Sequence, residues 1–188
     1  LTFTKVTVEK SVNGPGVELT DCDLIFKASD PKSQFLDNAR GGLWMVGGNL
    51  TMEDVLFKDN SDHGIYLEGV KLRQFIGVQS SSNLGSGLYI NIDDQDLLSP
   101  MNEYSTILDS SFSLNTGRGI AVVADDSISG TVEIGLEGIK SFGNNAGDLM
   151  APSDIHFTWV CIGKDKLGDP EYTGTTVASF DIEVEEKG

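Results

Sequence analysis

The sequence predicts an all-β solenoid, in which short parallel strands stack one coil upon the next. Three observations carry this: a phrase that recurs through the middle of the chain, glycine and asparagine gathered at its corners, and no amphipathic helical stretch of useful length. The phrase is Asn-x3-Gly-apolar-x-apolar. It runs Asn38, Gly42, Leu43-Trp44-Met45; then Asn60, Gly64, Ile65-Tyr66-Leu67; then Asn83, Gly87, Leu88-Tyr89-Ile90; then Asn115, Gly119, Ile120-Ala121-Val122. A degenerate fifth copy reads Asn144, Asp148, Leu149-Met150. Copies start 22, 23, 32 and 29 residues apart, a period that suits coils of short strands.

Each part of the phrase has a physical reading. Apolar-x-apolar is a strand of period two, so Leu43 and Met45, Ile65 and Leu67, Leu88 and Ile90, and Ile120 and Val122 share the buried face. Glycine before the strand permits a bend that a side chain would block. Asparagine tolerates the left-handed region and bonds its own turn, so it suits a corner. Phe35, Phe57 and Phe112 stand three residues before an Asn, and Phe142 stands three before Asn145. One such strand cannot bury itself; stacked in register about 4.8 Å apart, the copies close an apolar interior. Further strands per coil are available in Asn49-Leu50-Thr51-Met52 with Val55 and Phe57, and in Val70-Lys71-Leu72 with Phe75, Ile76 and Val78.

In chain order, residues 1–32 read as an opening coil or cap. Leu1 to Val8 alternates as a strand, Asn13-Gly14-Pro15-Gly16 is a turn, Val17-Glu18-Leu19 is an imperfect first copy, and Cys22 to Phe26 is a further strand. Residues 33–150 hold the regular coils, with insertions at Asp93 to Ser105 and Ala124 to Gly130 that should emerge as loops at a corner. Residues 151–188 lack the phrase. Their strands, His156 to Val160 and Val177 to Val184, read as a C-terminal cap or flanking hairpin. The whole, 1–188, is expected to be one domain.

With these motifs in view, the chain resembles right-handed parallel β-helix proteins of the pectate-lyase-like superfold. Phe35-x-x-Asn38 followed by Gly41-Gly42-Leu43, with Phe57-x-x-Asn60, is similar to the FxxN and GGA-type repeats of polymorphic outer-membrane proteins. The resemblance implies a right-handed, single-stranded parallel β-helix and a superfold that hosts lyases, hydrolases, epimerases, adhesins and spacers; the length and the spacing of the copies give about six to eight coils.

Acidic residues outnumber basic ones 29 to 13, a net charge of −16, which disfavours nucleic acid and anionic membranes as partners. No apolar run approaches the ~18 residues that a membrane-spanning helix needs. Leu1 shows no signal-peptide pattern, and the lack of an initiating Met suits a processed segment of an exported or cell-surface protein. Cys22 and Cys161 lie toward opposite ends of the repeats and read as buried free thiols, out of disulfide reach.

Three constellations could carry function. The outward x of the phrase is Trp44, Tyr66 and Tyr89, a stripe of rings able to stack on sugar faces or fill a protein interface, or else to lie under a loop as a second small core. Asp93-Asp94 and Asp125-Asp126 stand at equal offsets from Asn83 and Asn115, with Asp96 close by. Stacked carboxylates of this kind suit Ca²⁺, the one cofactor the chain suggests, or serve as solvated turn-formers. Thirdly, paired carboxylates with His63 beside Asp62 could hydrolyse or rearrange polysaccharide. Polygalacturonase-like β-helices carry Asn-Thr-Asp, Asp-Asp, Gly-His-Gly and Arg-Ile-Lys in that order, and only Asp93-Asp94 matches one of these. Asn49-Leu50-Thr51 is a sequon. The reading is therefore a non-catalytic module for assembly, adhesion or glycan binding through Trp44, Tyr66 and Tyr89, with polysaccharide or other subunits of the same or another kind as partners. The alternative is a glycoside hydrolase, lyase or epimerase using Asp93, Asp94, Asp125, Asp126 and His63.

Overall fold

The computed structural model describes residues 1–92, 105–124, 131–150, 156–162 and 166–167. Every element in them is a strand. They are β1 (Thr2–Phe3), β2 (Thr7–Glu9), β3 (Val17–Phe26), β4 (Ser33–Leu36), β5 (Leu43–Glu53) and β6 (Val55–Lys58). Next come β7 (Ile65–Glu68), β8 (Lys71–Ile76), β9 (Gln79–Ser81), β10 (Leu88–Ile92), β11 (Ser105–Leu108) and β12 (Ser111–Ser113). The last are β13 (Ile120–Ala124), β14 (Thr131–Glu137), β15 (Lys140–Phe142), β16 (Leu149–Met150), β17 (His156–Ile162) and β18 (Lys166–Leu167).

All pairings between them are parallel, and they form an 11-stranded and a 7-stranded sheet. Each coil has three faces. The long strands β3 and β5 turn a corner and pair on two of them; in the next coil β7 and β8 divide the same span, which fuses these faces into the larger sheet. The described coils make about 5 turns, slightly fewer than the six to eight expected from spacing, because the end coils contribute strands to only some faces.

One expectation at the N-terminal end meets a different arrangement. Leu1 to Val8 is not one strand: β1 and β2 lie in different sheets, divided by Lys5 in the left-handed region at φ 56°. From the segment expected as cap or hairpin, β17 and β18 pair in parallel with β14 and β15, adding rungs to both sheets. The remainder of 151–188, including the strand expected at Val177 to Val184, lies outside the described residues.

The interior is apolar where the phrase placed it: Leu43, Met45, Ile65, Leu67, Leu88, Ile90, Ile120 and Val122 are all buried. Phe35 and Phe57 line the smaller sheet, stacked at 4.8 Å, and Phe26 of the larger sheet meets Phe35 edge-on at 5.5 Å. In the next rung Ser80 replaces the phenylalanine, and Phe75 reaches across toward Phe112 at 6.4 Å. The aromatic column ends at Ser141, not Phe142, which is 50% exposed. Phe142 pairs with Ser113 on the outward side, since the corner asparagine of its coil is Asn144 rather than Asn145.

The corners work differently from the sequence-based expectation. The left-handed residue is the one before each asparagine: Asp37, Asp59, Ser82, Leu114 and Gly143. The asparagines point inward and bond the next coil. Nδ2 of Asn38, Asn60, Asn83 and Asn115 donates to Oδ1 of Asn60, Asn83, Asn115 and Asn144 at 3.0, 2.9, 3.0 and 2.9 Å. Each receiving oxygen also accepts the backbone N–H of the asparagine below it. Ser11 N–H meets Asn38 Oδ1 at one end, and Asp148 Oδ1 accepts from Asn144 Nδ2 at the other. Thus the ladder satisfies a line of buried amides that the turning backbone would otherwise strand.

The glycines of the phrase answer to crowding. A Cβ at Gly64 would lie 2.8 Å from Gly87 O, 2.9 Å from Asn83 Nδ2 and on top of Ser80 Oγ. At the last described rung the phrase carries Asp148 where earlier rungs have glycine. That carboxylate is buried and accepts from Ser141 Oγ and Asn144 Nδ2.

Candidate functional site

On the outer face of β5, β7 and β10, Trp44, Tyr66 and Tyr89 pair in register, one above another. Trp44 and Tyr66 have ring centroids 3.8 Å apart and 16° from parallel; Tyr66 and Tyr89 are 5.4 Å apart at 7°. All three stay partly exposed. In the next rung Ala121 pairs with Tyr89 and is buried. The rings face one another, so both faces of Tyr66 are covered and its edge and hydroxyl look outward. Sugar stacking on successive ring faces, as expected from the spacing alone, has no free face on the middle ring.

Polar groups flank the column. Arg40 lies over the Trp44 ring, its Cζ 5.7 Å from the centroid. Tyr66 donates its hydroxyl to Glu68 Oε2 at 2.7 Å. Burial, then the bond to Glu68 and its charge, push the Tyr66 phenol well above its ordinary range. Tyr89 is raised by burial and by the Glu68 charge. Arg40 and Glu68 were not singled out from sequence. Glu68 could have been: it stands two residues after Tyr66, on the same side of a strand.

His63 lies against this column, its ring 4.6 Å from Tyr89 and 6.0 Å from Tyr66. Its Nδ1 accepts the backbone N–H of Ser86 at 2.8 Å, so the neutral ring carries its proton on Nε2, which lies 3.6 Å from Asp62 Oδ1. Burial lowers its pKa below 6.5, against the opposing pull of Asp62. A Cβ at Gly85 would press on His63 Nδ1 at 2.7 Å, so that glycine makes the imidazole's seat. Arg118, on the same row one coil beyond Ser86, donates its backbone N–H to Ser86 Oγ and its Nη1 to Leu149 O. His63 is thus brought to the aromatic strip.

The acidic ladder, Asp93, Asp94, Asp96, Asp125 and Asp126, falls outside the described residues. Among the described residues no three His, Cys, Asp or Glu side chains are grouped to hold a metal. Cys22 is a free thiol, half-buried rather than buried as expected, because its position near the corner of β3 leaves it at the surface. Cys161 lies five strand steps away along the sheet, about 24 Å at the usual inter-strand spacing. The sequon Asn49 sits mid-strand with both amide atoms engaged, Nδ2 on Asp23 Oδ1 at 2.6 Å and Oδ1 on Arg73 Nε at 3.0 Å. No helix among the described residues is long and apolar enough to cross a membrane.

Comparison with known families agrees with this architecture. Residues 1–145 match the model of the right handed beta helix region, and the chain belongs to that family. Neither the curated proteins nor the solved structures gave a match.

Proposed function

We propose that this β-helix is a non-catalytic module of an exported or cell-surface protein, and that it contacts a partner along Trp44, Tyr66 and Tyr89. The observation behind this reading is the ring column itself. It lies outside an interior that is already closed by the phrase's inward residues, and it is partly exposed. Aromatic residues with polar tips on a rigid scaffold suit recognition, since little side-chain freedom is lost on contact. Because the ring faces are turned on one another, contact is made by edges, hydroxyls and the flanking Arg40 and Glu68. The partner is a polysaccharide chain lying along the solenoid or a neighbouring subunit. His63 lends no support to the enzymatic alternative, since its Nδ1 is held by Ser86 and its flank by Tyr89.

The test combines binding to a panel of neutral and acidic polysaccharides with sedimentation velocity for self-association. Trp44→Phe keeps a ring and removes the indole N–H; Tyr66→Ala opens the column. The reading expects wild type to bind or associate, and each variant to weaken that at least tenfold while still unfolding cooperatively. Unchanged binding by a folded Tyr66→Ala protein, or no binding and no association by wild type, would sink it.

A further inference from the structure

The Asn13-Gly14 turn between β2 and β3 is a chemical site that the contact strip does not use. Asn13 is exposed, and a Cβ built on Gly14 would meet nothing within 4 Å. Among the described residues neither the Asn13 side-chain amide nor the Gly14 N–H has a hydrogen-bond partner. This is the reverse of the ladder asparagines, each of which has its amide oxygen and nitrogen engaged and is followed by a residue with a side chain. Asn13 is also the one asparagine in the sequence followed directly by glycine.

We infer that Asn13 is a site of spontaneous deamidation and isoaspartate formation in the folded protein. The Gly14 backbone nitrogen loses its proton to water or hydroxide and attacks Asn13 Cγ. A C–N bond forms, ammonia leaves from Cγ, and a cyclic imide results. Water then opens the ring at either carbonyl, giving aspartate or isoaspartate, with no change in oxidation state. Glycine matters here because it has no Cβ to hinder the approach of its own nitrogen and its backbone reaches the needed conformation freely. Asparagine is a thermolabile residue for this reason. The consequence is local. Ser11 Oγ bonds Gly14 O, and Ser11 N–H bonds Asn38 Oδ1 at 3.2 Å, so the turn closes over the first asparagine of the ladder. An isoaspartate adds one methylene to that turn's backbone and a negative charge beside it.

The test is incubation of the native chain at 37 °C and neutral to mildly alkaline pH, followed by peptide mapping with mass spectrometry. Isoaspartate is read out by an isoaspartyl-specific methyltransferase. The inference expects a mass gain of about one dalton confined to the peptide holding Asn13, rising about tenfold per pH unit as the deprotonated fraction of a weakly acidic N–H does. An Asn13→Gln protein should lose the methyl acceptance. The inference fails if Asn13 stays intact while urea-unfolded chain deamidates there, or if any of the ladder asparagines reacts first.

Discussion

Removing one rung of the asparagine ladder tests the account of the fold most directly. In Asn83→Ala the Asn60 backbone N–H loses its acceptor, which stood at 3.1 Å, and one Asn60 Nδ2 hydrogen loses its acceptor at 2.9 Å. Asn60 is completely buried. Asn115 Oδ1 keeps the Asn83 N–H, Ser80 keeps its bond to Gly87 O, and Asn60 Nδ2 keeps Phe35 O, so two hydrogens are stranded rather than a whole network. A stranded buried donor costs about 1–3 kcal/mol. Two of them give about 2–6 kcal/mol, the lower figure applying if a water enters the vacated volume and bridges the polar rim. Against a net stability of about 5–15 kcal/mol that is a large share. Equilibrium urea unfolding reads it, with the slope checked for constancy so that the midpoint shift reports stability. Asn145→Ala is the matched control: its side chain is exposed and only its backbone N–H is engaged, so it should move stability by less than about 0.5 kcal/mol. If Asn83→Ala falls within about 1 kcal/mol of wild type, the ladder is ornament and the corner argument is wrong.

Other perturbations follow the same reasoning. Gly64→Ala forces a Cβ against Ser80 Oγ, Gly87 O and Asn83 Nδ2, two of them parts of the ladder and its rung, and should lower stability by about 2–3 kcal/mol in the same assay. A neutral Gly64→Ala would mean the rungs are further apart than described. His63 sits below 6.5 in the fold, so on acidification the unfolded chain takes up this proton first. The stability held by the neutral imidazole is complete above pH 6.5 and is lost as pH falls from there through the folded value. Melting temperature should therefore fall more steeply over this window in wild type than in His63→Gln. Equal slopes would show that His63 is not the group responsible. Leu114 holds φ 58° with its side chain 61% exposed, so Leu114→Asn should raise stability by about 0.5–1 kcal/mol. A lower melting temperature instead would reveal a contact that the Leu114 side chain makes.

The parts legible in the sequence were those set by period. Alternation fixed which of Leu43, Trp44 and Met45 turns inward, and equal offsets from Asn38, Asn60 and Asn83 put Trp44, Tyr66 and Tyr89 in one column. What the offsets could not convey was the environment of each atom. Nothing in Asn-x3-Gly says that the asparagine bonds the next coil instead of its own turn, because that depends on how closely the rungs approach. The same applies to glycine, whose role at Gly64 is space and not a positive φ. Phe142 misled because Asn144 and Asn145 are adjacent, and a one-residue slip in register reverses a side chain. His63 was visible as a residue but not as a neighbour of Tyr89, since that contact crosses both a coil and a corner. The aspartates of the insertions belong to the residues outside the description, so their reading stays as the spacing left it.

The ring column also changes which chemistry the outer face can offer. A stack of three spends its faces internally, and the Tyr66 hydroxyl is spent on Glu68. Among the described residues the Trp44 indole N–H and the Tyr89 hydroxyl are left without partners. They stand two rungs apart, about 10 Å at the usual strand spacing. For the proposed contact, a partner with hydrogen-bond acceptors at that separation, an apolar edge between them and room for the Glu68 carboxylate midway would fit best. A flat aromatic or sugar face laid on the strip meets only ring edges, so selectivity has to come from the position of its acceptors along the solenoid axis. A rigid scaffold is what makes such a spacing requirement enforceable, because the asparagine ladder and the glycine contacts hold the rungs at fixed separation beneath it.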